Sequence, residues 1–222
     1  MTELLSGDFN TAFGRSSHQE IWSEAMVAGP LLRGMTGITY ADGGRELGLS
    51  PKLPAEWDSA AVRRGVVGEA GVDIEIARAP EAYEITVTGA AGRRLRVTPG
   101  LPRDAVVSAV TVDGAAVAFD TAALGDVRLV AVEVPTAGER AVIRYALARR
   151  GSDVAVRWEP AEPGAANGQV RVLRSVADEE GLTLLVEGRA GSEHALALVT
   201  DRAVEAVTGG RVDGTSLAVG FE

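Results

Sequence analysis

The chain contains no cysteine among its 222 residues. That single absence removes disulfide bridges, thiolate zinc centres, iron–sulfur clusters and cysteine nucleophiles. Histidine is nearly as scarce. With only His18 and His194 available, a histidine-based metal centre would need both of them brought together with carboxylates, so no metal site is expected. His194, alternating with Ala195 and Leu196 at the start of an apolar run, reads as a partly exposed structural histidine. No glycine-rich fingerprint follows a strand and opens a helix, and no G-x-S-x-G elbow occurs, so neither a nucleotide cofactor nor a serine hydrolase site is expected. No apolar run approaches the roughly 20 residues that cross a bilayer, which argues against a membrane role. Basic residues are outnumbered, 22 Lys and Arg against 31 Asp and Glu, for a formal net charge of -9. Without a Lys/Arg cluster to release counterions, a nucleic-acid role is disfavoured and no nucleic-acid partner is expected.

Glycine, by contrast, is abundant at 27 residues while aromatics make up only 5%, a combination that suggests many tight turns between short elements. From Ile21 to Met35, the residues Ile21, Trp22, Ala25, Met26, Ala28, Leu31, Leu32 and Met35 recur at three- and four-residue steps, as one face of an amphipathic helix. Gly29-Pro30 in its middle predicts a kink or break, and Gly34 and Gly37 a C-terminal stop. After Gly37 the period changes to two. Val72-Asp73-Ile74-Glu75-Ile76, Tyr83-Glu84-Ile85-Thr86-Val87 and Leu95-Arg96-Val97-Thr98 alternate apolar and polar side chains, as half-buried antiparallel strands do. Similar runs follow at Val106 to Val112, Val127 to Val134, Ala141 to Tyr145, Val154 to Trp158, Val170 to Leu173, Leu182 to Val186, Ala195 to Val199 and Leu217 to Phe221. Asp113-Gly114 and Asp213-Gly214 read as hairpin turns. The pattern predicts a mainly β chain, an antiparallel β-sandwich of many strands preceded by a short helical segment. Pro160 to Gly168 reads as a long surface loop within it.

Chemistry concentrates in Arg15-Ser16-Ser17-His18-Gln19-Glu20-Ile21-Trp22-Ser23-Glu24, where the helix begins. Ser17 and Glu20 fit a capping box. His18, Gln19 and Trp22 do not follow from capping. An aromatic face with nearby imidazole, amide and carboxylate groups suits a sugar, the ring stacking on it and the polar groups bonding its hydroxyls. Glycosidic cleavage needs two carboxyl groups flanking the bond; Glu20 and Glu24, four apart, are neighbours on one helix face, and such a side-by-side pair is more often a solvated face than a pair flanking a bond.

The stretch from Leu4 through Trp57 resembles bacterial six-hairpin glycoside hydrolases of the glycogen-debranching, amylo-α-1,6-glucosidase-like kind. The residues carrying the resemblance are Leu5-Ser6-Gly7, Arg15 through Ser23, Pro30-Leu31-Leu32-Arg33-Gly34 and Leu49-Ser50-Pro51-Lys52-Leu53-Pro54-Ala55-Glu56-Trp57. The resemblance implies that residues 1–37 are the end of an (α/α)6 barrel and 38–222 a C-terminal β-sandwich domain. It implies Glu20 as a general base, with His18, Gln19, Trp22 and Glu24 binding an α-glucan or related oligosaccharide, and no cofactor. Some 37 residues cannot supply a twelve-helix barrel when each helix takes ~10–14, so the chain is expected to be a C-terminal segment, inactive alone. The alternative is a stand-alone β-sandwich module for carbohydrate binding or scaffolding, self-associating or meeting a barrel partner through Ile21 to Met35. An unrelated adhesion or assembly sandwich is the third reading. Met1 to Leu5 does not read as a secretory signal, which favours the cytoplasm, but a chain entered in mid-domain leaves the compartment open.

Overall fold

The computed structural model describes residues 21–67, 70–157, 162–166 and 168–221. Among the described residues one α-helix, α1 (Ile21–Thr36), precedes eighteen strands. They are β1 (Thr39–Ala41), β2 (Glu46–Leu49), β3 (Ser59–Val67), β4 (Ala70–Ala79), β5 (Ala82–Thr88), β6 (Arg94–Val97), β7 (Gly100–Pro102), β8 (Val106–Val112) and β9 (Ala115–Ala116). The remainder are β10 (Asp120–Leu124), β11 (Val127–Val134), β12 (Arg140–Arg149), β13 (Asp153–Val156), β14 (Arg171–Ala177), β15 (Leu182–Glu187), β16 (Glu193–Val199), β17 (Arg211–Asp213) and β18 (Ser216–Gly220). The protein is mainly β, as its period-two patterning predicts.

Two six-stranded sheets form the larger body. One runs β1-β2-β6-β11-β10 with β7 added on β11, the other β3-β4-β5-β12-β8-β9. Pairing is antiparallel except where β2 joins β6 in parallel. Alternation fixes which face each strand buries. Val72, Ile74 and Ile76 of β4, Ile85 and Val87 of β5, and Ile143 and Tyr145 of β12 face Leu95 and Val97 of β6 and Val130 and Val132 of β11 in one core. The intervening residues are charged and paired across strands on the outer face, Arg63 with Glu75 at 2.5 Å, Arg96 with Glu133 at 3.2 Å and Arg144 with Glu84 at 3.4 Å. Such exposed pairs add only about 0.2–1 kcal/mol each, so the buried apolar face dominates.

A second cluster forms separately from Val154, Val170, Leu196, Leu198, Leu217 and Val219, with Leu182, Leu184 and Val186 half-buried against it. It lies between the sheet β13-β16-β18-β17 and the hairpin β14-β15. The change from one cluster to the other falls at Gly151 and Ser152, between β12 and β13. The stretch from Pro160 to Gly168, of which Pro160, Ala161 and Asn167 lie outside the described residues, falls in the chain between β13 and β14.

The expected hairpin at Asp113-Gly114 closes β8 onto β9, both residues with positive φ (50° and 85°) as a two-residue turn of this hand requires. In the second, Asp213 pairs with Ser216 and the turn is Gly214-Thr215. Helix α1 runs unbroken through Gly29-Pro30, contrary to the break that proline predicts. Proline fixes φ near the helical value, so it costs one ladder bond without forcing an end. Gly34 likewise stays inside the helix. Gly37 ends it, at φ 59° with its N–H on the Arg33 carbonyl at 2.9 Å. Among the described residues no helix is long and apolar enough to cross a membrane.

Candidate functional site

Of the site residues read from the sequence, His18, Gln19 and Glu20 lie outside the described residues, and only the backbone of Trp22 and Glu24, in the first turn of α1, is described. His194 is structural: its Nε2 lies 3.0 Å from Ser192 Oγ and its ring stands edge-on to Phe221, centroids 6.1 Å apart.

The described residues converge elsewhere, in a cleft of about 330 Å³ between the end of the large sandwich and the face of β14. Its walls come from distant segments: Lys52, Leu53 and Ala55 after β2, Arg78 and Tyr83 from the β4–β5 hairpin, Asp126 beside β11, Arg150 to Asp153 at the junction, and Arg174 and Ser175 on β14.

Arg78 organises one wall. It stands at the end of β4, with Nη1 donating to the carbonyls of Pro54 (3.2 Å) and Ala55 (3.0 Å) and Nη2 to that of Leu53 (3.1 Å), which pins the 53–55 segment to the sheet. Its guanidinium also lies over the Tyr83 ring, 5.9 Å from the centroid. Burial lowers the Arg78 pKa, an effect that Tyr83, Asp153 and Asp58 oppose and Arg150 reinforces. Tyr83 is only 1% exposed. Among the described residues its hydroxyl is the buried side-chain polar atom without a hydrogen-bond partner. Burial raises its pKa well above the ordinary phenol value, so it holds its proton at neutral pH.

The opposite wall carries Asp153, whose Oδ1 accepts from the Val154 N–H (2.8 Å) and from Ser175 Oγ (3.1 Å). Burial raises its pKa, partly offset by those two bonds and by Arg78. Behind it lies Asp104, whose side chain is 0% exposed. Asp104 accepts from the Ser152 N–H (2.8 Å) and Ser152 Oγ (3.0 Å), and Ser152 Oγ meets Thr200 Oγ1 at 2.8 Å. Arg202 approaches Asp104 to 3.8 Å while donating to the Asp178 (2.6 Å) and Glu179 (2.7 Å) carbonyls. These bonds tie the loop before β8 to both halves of the second body. Gly151 fits between them because it has no Cβ: at φ 88°, one would stand 2.7 Å from Pro102 Cβ and 2.8 Å from Asp104 Oδ1.

Sequence reading missed Arg78, Tyr83, Asp104 and Asp153 as a group. The one local signal was Tyr83, which alternation turns inward with a hydroxyl needing a partner. Comparison with protein families, curated proteins and solved structures finds no match to this chain.

Proposed function

We propose that the chain is the C-terminal part of a six-hairpin glycoside hydrolase acting on an α-glucan or a related oligosaccharide, with the sandwich buttressing a helical barrel to which α1 belongs. The observation that supports this reading is the state of α1. Met26 is 73% exposed and Leu31 54%, with Val27 and Leu32 exposed beside them. The end of the helix engages the sandwich, where Met35 packs against the large core and the Met35 and Thr36 carbonyls accept from the N–H groups of Lys52 (2.8 Å) and Ser50 (3.0 Å). A 16-residue helix draws most of its stability from burying an apolar face, and here Met26, Val27, Leu31 and Leu32 stand exposed. Further barrel helices would cover them. In this reading Glu20 is the general base, and His18, Gln19, Trp22 and Glu24 contact the sugar.

The test is to read the source DNA in frame upstream of the Met1 codon and to assay glucose release from branched dextrins. Upstream coding sequence with amphipathic helical hairpins, and activity that needs it, is the expected result. A stop codon close upstream, or glucose release by the 222-residue chain alone that Glu20→Gln lowers, would overturn it.

The second reading, a stand-alone binding or scaffold module, is favoured by the cleft, which is built wholly from the sandwich bodies.

A further inference from the structure

The cleft carries a charge pattern that neither the barrel helix nor a glucan requires. The chain as a whole is at -9, yet Lys52, Arg78, Arg150 and Arg174 line this cleft against Asp126 and Asp153. Arg150, largely buried along the cleft, meets an Asp58 that is 80% exposed at 3.9 Å, a weak pair that a ligand can replace at little cost. Tyr83 adds a donor: its hydroxyl is deeply buried and without a partner, and a group left so costs free energy until an acceptor reaches it. Two features argue against a sugar. Stacking needs an open aromatic face, and the Tyr83 ring is buried beneath Arg78. The volume, about 330 Å³, lies at the low end of the ~300–1,000 Å³ typical of small-molecule sites, too small for a run of glucosyl units.

We propose that this cleft binds a small oxyanion, a carboxylate or phosphate group whose oxygens accept from the Tyr83 hydroxyl and face the Arg78 and Arg150 guanidinium groups. Arginine suits both oxyanions, and partial burial strengthens the attraction relative to water. Arg78, held by three carbonyls, supplies fixed charge; Arg150 supplies donors from a weak pair. The proposal is independent of whether a barrel accompanies the chain.

Isothermal titration of the full 222-residue chain with sodium succinate, inorganic phosphate, glucose and maltose tests it. At least one of the two anions binds, more weakly as salt rises, and the preference between succinate and phosphate identifies the oxyanion. Tyr83→Phe and Arg150→Gln each weaken that binding about tenfold, as loss of a hydrogen bond to a charged group does, while Arg96→Gln, on the outer face of β6 and no part of the cleft lining, leaves it unchanged. Circular dichroism confirms that the variants fold. Absence of binding by both anions, undiminished binding by folded Tyr83→Phe, or binding of glucose or maltose without either anion would each overturn the proposal.

Discussion

Tyr83 and Tyr145 stand opposite each other on β5 and β12, rings edge-to-face with centroids 6.4 Å apart, yet only Tyr145 has a partner for its hydroxyl. Tyr145 donates to the Val97 carbonyl at 3.3 Å and so links the two sheets of the large sandwich. Both phenylalanine variants keep the ring pair, so the difference isolates the hydroxyls. Tyr145→Phe is expected to cost about 1 kcal/mol, and Tyr83→Phe to be neutral or stabilising in the absence of any ligand, because it deletes a buried group without deleting a bond. Urea denaturation measures both; equal losses would contradict the assignment.

Asp104 holds the junction between the two bodies through Ser152 and Arg202. Removing its carboxylate leaves the Ser152 N–H buried without that acceptor. Asp104→Ala should therefore cost about 2–3 kcal/mol, and Asp104→Asn, which keeps one acceptor oxygen, less. Trypsin should cut the alanine variant faster at Arg149 and Arg150. Unchanged urea midpoints and unchanged cleavage would show that the junction is held elsewhere.

Asp153 gives the junction a pH dependence of defined sign. Its folded pKa is raised, chiefly by burial, above the ordinary 3.8. The folded state then binds the proton more tightly than the unfolded chain, so Asp153 favours folding at low pH and loses that contribution as pH rises from about 3.8 through the raised folded value. Asparagine does not titrate. Asp153→Asn should therefore gain stability relative to the native chain between acid and neutral pH, measured as the difference in urea midpoints at several pH values. A difference that stays flat, or falls as pH rises, would contradict the burial argument.

Local pattern carried most of the large sandwich, because alternation is a property of consecutive residues. Val72 to Ile76 and Leu95 to Val97 became β4 and β6 with the expected residues buried. Where backbone geometry breaks the alternation, the signal fails. In β3, Arg64 adopts φ 54° at a register shift between Val62 and Gly65, its N–H on Asp73 Oδ1 at 2.6 Å, and two consecutive arginines hide the strand. The cleft was illegible for another reason. Lys52, Tyr83, Asp126, Asp153 and Ser175 meet only through sheet topology, and no spacing along the chain records it.

Helix α1 offers the sharpest prediction about what surrounds this chain. Met26 and Leu31 project into solvent, whereas Met35, one turn beyond Leu31, packs on the large core. Replacing the first two with lysine removes apolar surface without touching the sandwich. The native chain should then show a light-scattering mass that climbs with concentration above the 23.0 kDa of one copy, because an uncovered apolar face seeks a partner. Met26→Lys with Leu31→Lys should hold the mass of a single copy and bind less hydrophobic dye. Its urea midpoint should shift little, since exposed substitutions usually move stability by about 0.5 kcal/mol or less. A native chain that stays monomeric, together with a double variant that loses stability, would mean that the same face is already buried within the chain, and the barrel reading would lose the observation on which it stands.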